Sequence, residues 1–251
     1  MKNYRMILQY DGTRYQGWQK QTRTDNTIQG KLETLLMRLA EEEGLPQEIQ
    51  VNGAGRTDAG VHAKGQVASF HMETGLTVAK LWKKINQYLP EDIAVISMAE
   101  APERFHARLN AQGKLYRYRI DNSEIPNVFE RRYVYAMPQQ LDLAAMQEAA
   151  QYFVGKHDFL AFCSKHSGKK STERTIEAVR VESKDSEIDI TFTGDGFLYH
   201  MVRIMTGTLI EVGLHKREPA SIPETIENRM REQAGFLAPA SGLVLEEVYY
   251  A

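Results

Sequence analysis

Residues 55–63 read Gly-Arg-Thr-Asp-Ala-Gly-Val-His-Ala and set a strong acid, Asp58, between two glycines and two residues after a guanidinium, Arg56. Gly55 and Gly60 suit a tight loop, because glycine adopts backbone angles that a Cβ forbids. An acid held there beside a cation has its ionised form favoured, since a nearby opposite charge lowers a carboxylate pKa by about 1–3. An anionic, positioned carboxylate can serve as a nucleophile or a base. The same residues also fit an ordinary turn in which Asp58 bonds its own backbone. Spacing alone leaves both readings open.

The elements that must hold this loop are legible from hydrophobic period. Residues 5–10 alternate, with Met6, Leu8 and Tyr10 on one face, and predict a strand. Ile28, Leu32, Leu35, Leu36 and Leu39 form one apolar stripe, which predicts a helix over about 27–43 ended by Gly44. Strand-like runs at 49–52 and 66–72 flank the Asp58 loop, and Val78, Leu81 and Ile85 mark a helix over 78–88. Ile93 to Met98 reads as a buried strand. Residues 114–120 read as another, with Tyr116, Tyr118 and Ile120 on one face and Arg117 and Arg119 on the other. Leu143, Met146, Ala150 and Phe153 predict a helix, and 175–183 and 187–193 predict two strands joined at Lys184-Asp185-Ser186. The apolar segment 197–212 predicts a helix. Ser221 and Glu224 have capping-box spacing ahead of a helix at about 222–233, and Leu243 to Tyr250 reads as a last strand. The pattern is α+β, with sheet in both halves.

Composition narrows the class. At 251 residues the chain is one large domain or two that share a core. A chain of this size buries roughly 70–75% of its extended surface, enough to need no covalent staple. One cysteine, Cys163, cannot form an intramolecular disulfide and excludes a cysteine-based zinc site; it points to a reducing, cytoplasmic compartment. No apolar run approaches the roughly 20 residues of a membrane span, and the first residues enter a strand pattern without a signal-peptide core. The formal net charge is −2, so nucleic-acid binding would have to come from uneven charge distribution. Arg104, Arg108, Arg117 and Arg119 cluster mid-chain, and 164–174 holds four cations and one acid, while acids gather at Glu41–Glu43. Solvated surface is the plain alternative for such runs.

The segment 55–70, continuing through Lys64-Gly-Gln-Val-Ala-Ser-Phe70, closely resembles the signature of the TruA family of tRNA pseudouridine synthases. The resemblance extends to Tyr10-Asp-Gly-Thr-Arg-Tyr-Gln-Gly-Trp-Gln19, Thr27-Ile-Gln-Gly-Lys-Leu-Glu33, Phe105-His-Ala-Arg108, Lys114-Leu-Tyr-Arg-Tyr118, Phe197-Leu-Tyr-His-Met-Val-Arg203 and Gly242-Leu243. Blocks in the same order along nearly the whole chain are far harder to obtain by chance than one motif.

The resemblance implies a pseudouridine synthase fold. Two sheet-containing subdomains, 1–105 and 106–251, would form a continuous, largely antiparallel sheet with flanking helices and a central basic cleft. It implies a cofactor-free, metal-free isomerase that converts uridine to pseudouridine in the tRNA anticodon stem-loop, at positions 38, 39 and 40. It further implies a cytoplasmic homodimer with tRNA as its partner and no membrane association. On the matching positions, Asp58 is the catalytic carboxylate. Tyr116 meets the extruded uracil, with Tyr118 on the same strand face as its control. Arg203 binds at the site and pairs with Asp58, Arg56 is a second partner or a phosphate contact, and Leu243 is an aliphatic wall of the base pocket. Lys165, Lys169, Lys170 and Arg108 are candidate RNA contacts. A sheet aromatic for Tyr116 and a core leucine for Leu243 are the plain alternatives. Asp195 stands where many relatives have Asn, either altering charge near Arg203 or capping the next helix, and Leu237 and Val244 replace a threonine and an aromatic. These departures leave room for another RNA substrate. A non-catalytic RNA-binding protein on the same fold is a further alternative, and the retained Asp58, Tyr116 and Arg203 argue against it.

Overall fold

The computed structural model describes residues 1–164 and 171–251. Packing divides the chain into two units, Met1–Gln112 with Leu245–Ala251, and Gly113–Val244. The fold is mixed α+β, with ten largely antiparallel strands and five α-helices among the described residues.

In the first unit, β1 (Lys2–Tyr10) is followed by α1 (Ile28–Glu42), β2 (Asn52–Gly53), β3 (His62–Met72), α2 (Val78–Tyr88) and β4 (Ile93–Ala101). β1 lies between β3 and β4, antiparallel to both, with Met6 opposite Ala68 on one side and Met98 on the other. Its even residues Tyr4, Met6, Leu8 and Tyr10 are all buried, the period of two that the sequence carries. α1 opens on Thr27, whose hydroxyl accepts from the Gly30 amide at 3.2 Å. The predicted stripe from Ile28 to Leu39 is buried throughout, each large side chain contributing roughly 1.5–3 kcal/mol.

The expected strand at 49–52 is reduced to the two residues of β2. Ile49 and Val51 are buried as expected of strand residues, but the backbone of Val51 is satisfied by α1. Its amide donates to Glu33 Oε1 at 3.1 Å and its carbonyl accepts from Gln29 Nε2 at 3.1 Å. Two buried polar side chains one helical turn apart thus replace a neighbouring strand.

The second unit holds β5 (Gly113–Asp121), β6 (Tyr135–Ala136), α3 (Leu143–Gln151), β7 (Gly155–Asp158), β8 (Glu173–Lys184), β9 (Glu187–Gly194), α4 (Met201–Gly213) and α5 (Ser221–Asn228). Its strands run in the order β5-β9-β8-β7, antiparallel, with β6 parallel to the end of β5. α3 packs on β8 and on α4. Phe153, just past the end of α3, completes the stripe and meets Phe162 edge-on at 5.2 Å. Asp185 turns the β8–β9 hairpin in the left-handed region, at φ 55°. The last strand, β10 (Leu243–Tyr249), runs beside β3.

Three local expectations differ from the structure. The helix read over 197–212 begins only at Met201, because His200 takes a left-handed φ of 66° that breaks the run. The capping box at Ser221 is not formed: Ser221 is already helical, and its hydroxyl donates to the Glu218 carbonyl at 2.7 Å. α5 then stops at Asn228, since Arg229 turns left-handed at φ 57°, and a separate short turn, Arg231–Gln233, covers the remainder of the expected helix. Asp195 caps no helix; its carboxylate accepts from the Thr175 amide at 3.1 Å. Among the described residues, no helix is long and apolar enough to cross a membrane.

Candidate active site

Asp58 sits half-buried in the loop between β2 and β3, and that loop is tied down from several directions. The Asp58 carbonyl accepts from the Val61 amide at 3.2 Å, closing a four-residue turn with Gly60 third at φ 79°, where a side chain would be strained. Gly55 is clamped by the buried side chain of Gln66, which donates to its carbonyl at 2.9 Å and accepts from its amide at 3.4 Å.

The segment following β1 supplies the remaining ties. The Thr57 carbonyl accepts from the Trp18 amide at 3.0 Å, and the Gly60 amide donates to the Tyr15 carbonyl at 3.2 Å. Inside, the hydroxyls of Tyr10 and Thr57 lie 2.8 Å apart. Burial pushes the Tyr10 phenol up to about 12, so it stays neutral and protonated. Gly17, at φ 92°, lies so close that a Cβ there would stand 2.7 Å from the Thr57 carbonyl oxygen. The block Tyr10–Gln19 therefore positions the Asp58 loop, a role that the residue pattern did not disclose. The signal was the clustering of two glycines and three aromatics in ten residues, without any indication of what they face.

Arg56 is the second candidate partner of the acid, with a phosphate contact as its alternative. It is exposed and forms no ion pair or hydrogen bond among the described residues. Two residues apart in a turning backbone, the two side chains need not point the same way. Arg108 is also exposed, with its amide donating to His106 Nδ1 at 3.1 Å.

The second unit gathers Tyr116, Arg203 and Leu243 around neighbouring backbone. Tyr116 and Tyr118 are both buried on one face of β5, as the alternation requires. Tyr116 meets Phe197 edge-on, with centroids 5.2 Å apart. Tyr118 instead donates its hydroxyl to the Pro239 carbonyl at 2.8 Å, and its burial pushes the phenol pKa up. Arg203, half-buried on the first turn of α4, donates from Nε to the Ala238 carbonyl at 2.7 Å. Leu243 is buried where β10 begins, immediately after Gly242, whose Cα lies against the Tyr118 ring. The stretch 238–243 is thus the common backing for Arg203 and Tyr118.

The mid-chain cations divide. Arg104 and Arg108 face solvent, whereas Arg119 holds Glu187 through two bonds at 2.6 and 2.8 Å and Glu130 at 3.1 Å, and Arg117 lies 3.3 Å from Asp189. Arg117, Asp189, Glu187 and Glu130 line a cavity of about 660 Å³ on the face of β5 opposite Tyr116, with Asp121 and Asp185 among its other walls. That excess of carboxylates repels phosphate, so this cavity does not suit a nucleotide. Lys165, Lys169 and Lys170 lie outside the described residues.

Comparison with known proteins places this geometry in context. The family model described as tRNA pseudouridine synthase matches residues 6–110 and 149–251. The chain is 46% identical over 250 residues to a tRNA pseudouridine synthase A of Bacillus sp. strain KSM-64, covering 100% of both chains. It is 45% identical to the tRNA pseudouridine synthase A of Acetivibrio thermocellus and 43% identical to tRNA pseudouridine synthase A 1 of Clostridium tetani, with the same complete coverage. A chain of a solved Cbf5–Nop10–Gar1 complex aligns with a TM-score of 0.33 and 12% identity, over 83% of this chain and 45% of that one, a likeness too low to add to the assignment.

Proposed function

This chain belongs to the tRNA pseudouridine synthase family and isomerises uridine in tRNA to pseudouridine; we propose that its target is the anticodon stem-loop, at positions 38, 39 and 40, and that Asp58 is the carboxylate that acts on the extruded nucleoside. The reaction breaks the N1–C1′ bond, turns the base, forms a C5–C1′ bond and releases the C5 proton. Oxidation state is unchanged, so the reading calls for no redox carrier.

The observation that carries this reading is the Asp58 loop. A carboxylate on a backbone fixed by Gln66, Tyr10, Tyr15 and Trp18 is held ready as nucleophile or base. Pulling a uridine out of its stack costs a few kcal/mol, which pocket contacts must offset. Tyr116 and Leu243 supply the apolar walls for the base in this reading. In this reading the Tyr116 hydroxyl takes the C5 proton in the last step. Arg203 orients the site electrostatically. Exposed Arg56 and Arg108, with Lys165, Lys169 and Lys170, hold phosphate, and affinity then falls as salt rises. A cytoplasmic homodimer with tRNA across both copies completes the proposal.

The test is to incubate the protein with tRNA transcripts carrying uridine at defined positions and to map pseudouridine. Product at 38, 39 and 40 supports the proposal. Product only elsewhere moves the same chemistry to another RNA site, as the Leu237 and Val244 departures allow. Tight binding with no product overturns the catalytic reading.

A further inference from the structure

We propose that Tyr199, backed by His200, is a stacking platform for an unpaired nucleobase of the RNA substrate, next to the uridine that is turned over. This rests on the reading of Tyr116 and Arg203 as substrate-binding residues. It adds a contact for a second nucleotide.

Four observations on the segment between β9 and α4 lead there. Phe197, near its start, packs edge-on against Tyr116, and Arg203 lies in the first turn of α4 that follows it, so the segment connects one proposed uridine-binding residue to the other. Between them Tyr199 is 47% exposed, although it is a large aromatic inside an otherwise half-buried stretch. Its ring is not loose on the surface. It stacks on the His200 imidazole with centroids 3.7 Å apart and planes 27° from parallel, which leaves its opposite face toward solvent. Finally, the pair is held by a strained backbone: His200 takes a φ of 66°, in the left-handed region that non-glycine residues rarely adopt. Ser164 fixes that arrangement. Its hydroxyl lies 2.8 Å from His200 Nδ1 and its amide donates to the Tyr199 carbonyl at 3.3 Å.

Exposed single apolar residues need no explanation, but a preorganised π-face does, and nucleobases are the partners such faces bind without reading sequence. The surroundings favour a polyanion. The Arg174 guanidinium lies against Gly196, with Nε 3.6 Å from where a Cβ would stand, in the same segment as Tyr199. A loop nucleotide flanking an extruded uridine is unstacked on at least one side and gains most from such a platform.

The experiment compares wild-type protein with Tyr199→Ala, Tyr199→Leu, Tyr199→Phe and Tyr199→Trp, using a tRNA transcript that the wild type is shown to modify. Stacking onto an aromatic contributes about 1–3 kcal/mol per base, so Tyr199→Ala and Tyr199→Leu should weaken RNA binding by about 5- to 150-fold, with KM rising in parallel. Tyr199→Phe and Tyr199→Trp retain a π-face and should restore affinity. If leucine serves as well as phenylalanine, the residue merely packs and the proposal fails; unaltered affinity in the alanine variant overturns it equally. Because the substrate is whichever tRNA the enzyme modifies, a failed assignment of positions 38, 39 and 40 would appear in the mapped product and not in this comparison.

Discussion

The hydroxyls of Tyr10 and Thr57 lie 2.8 Å apart in the protein interior, one residue before Asp58. This bond couples the end of β1 to the loop that presents the acid. Tyr10→Phe keeps the ring and removes the bond, leaving the Thr57 hydroxyl buried without that partner. The loss should be on the order of 1 kcal/mol, a fall of about 2–4 °C in Tm for a chain of this size. Positioning predicts more than that. Because a displacement of 1 Å near the chemistry can cost on the order of 100-fold, kcat should fall by roughly tenfold or more while KM for tRNA stays near that of the wild type. A lowered Tm with unaltered kcat would make the bond purely structural.

Tyr116 and Tyr118 share a face of β5 and meet different neighbours. Tyr118 is committed to the Pro239 carbonyl, whereas Tyr116 rests against the edge of Phe197. Tyr118→Phe should therefore lower Tm by a few degrees through one lost buried bond. Tyr116→Phe should lower the single-turnover rate by more than any fall in Tm accounts for. Steady-state kinetics beside a thermal melt of each variant decides the matter, and the reverse pattern means that the wrong ring has been assigned.

Alkali should unfold this protein through its buried phenols. Burial raises Tyr10 from 10.0 to about 12, and raises Tyr118 and Tyr250 as well. A folded-state pKa above the unfolded value means that the folded form binds the proton more tightly. The associated stability is fully present below about pH 10 and is lost as pH climbs through about 12 for Tyr10. Unfolding free energy measured by urea titration should be flat with respect to these groups up to about pH 10 and decline above it. Tyr10→Phe should decline less steeply over that window. Equal slopes would show that Tyr10 is not buried as described.

Much of this was written in the sequence, where local pattern decides structure. The alternation Tyr4-Met6-Leu8-Tyr10 and the stripe from Ile28 to Leu39 survive intact, because a single apolar face leaves an element one way to bury itself. Gly60 at positive φ makes the Asp58 turn, as its residue type suggested. What escaped was set by distant partners. Residues 49–51 look like a strand, yet Gln29 and Glu33 take their backbone bonds. Ser221 has the spacing of a cap, yet the turn from Glu218 draws it one position into the helix. The support that Tyr10, Tyr15, Gly17 and Trp18 give to Asp58 crosses some forty residues of chain and has no periodic signature.

The account stands on Asp58, and one measurement addresses it most directly: single-turnover formation of pseudouridine in a tRNA that the wild type modifies, by Asp58→Asn and by Asp58→Ala, with RNA affinity recorded on the same preparations. The expected result is no pseudouridine from either variant while tRNA binding largely persists. Product formed by either variant at a rate near the wild type's would contradict the assignment.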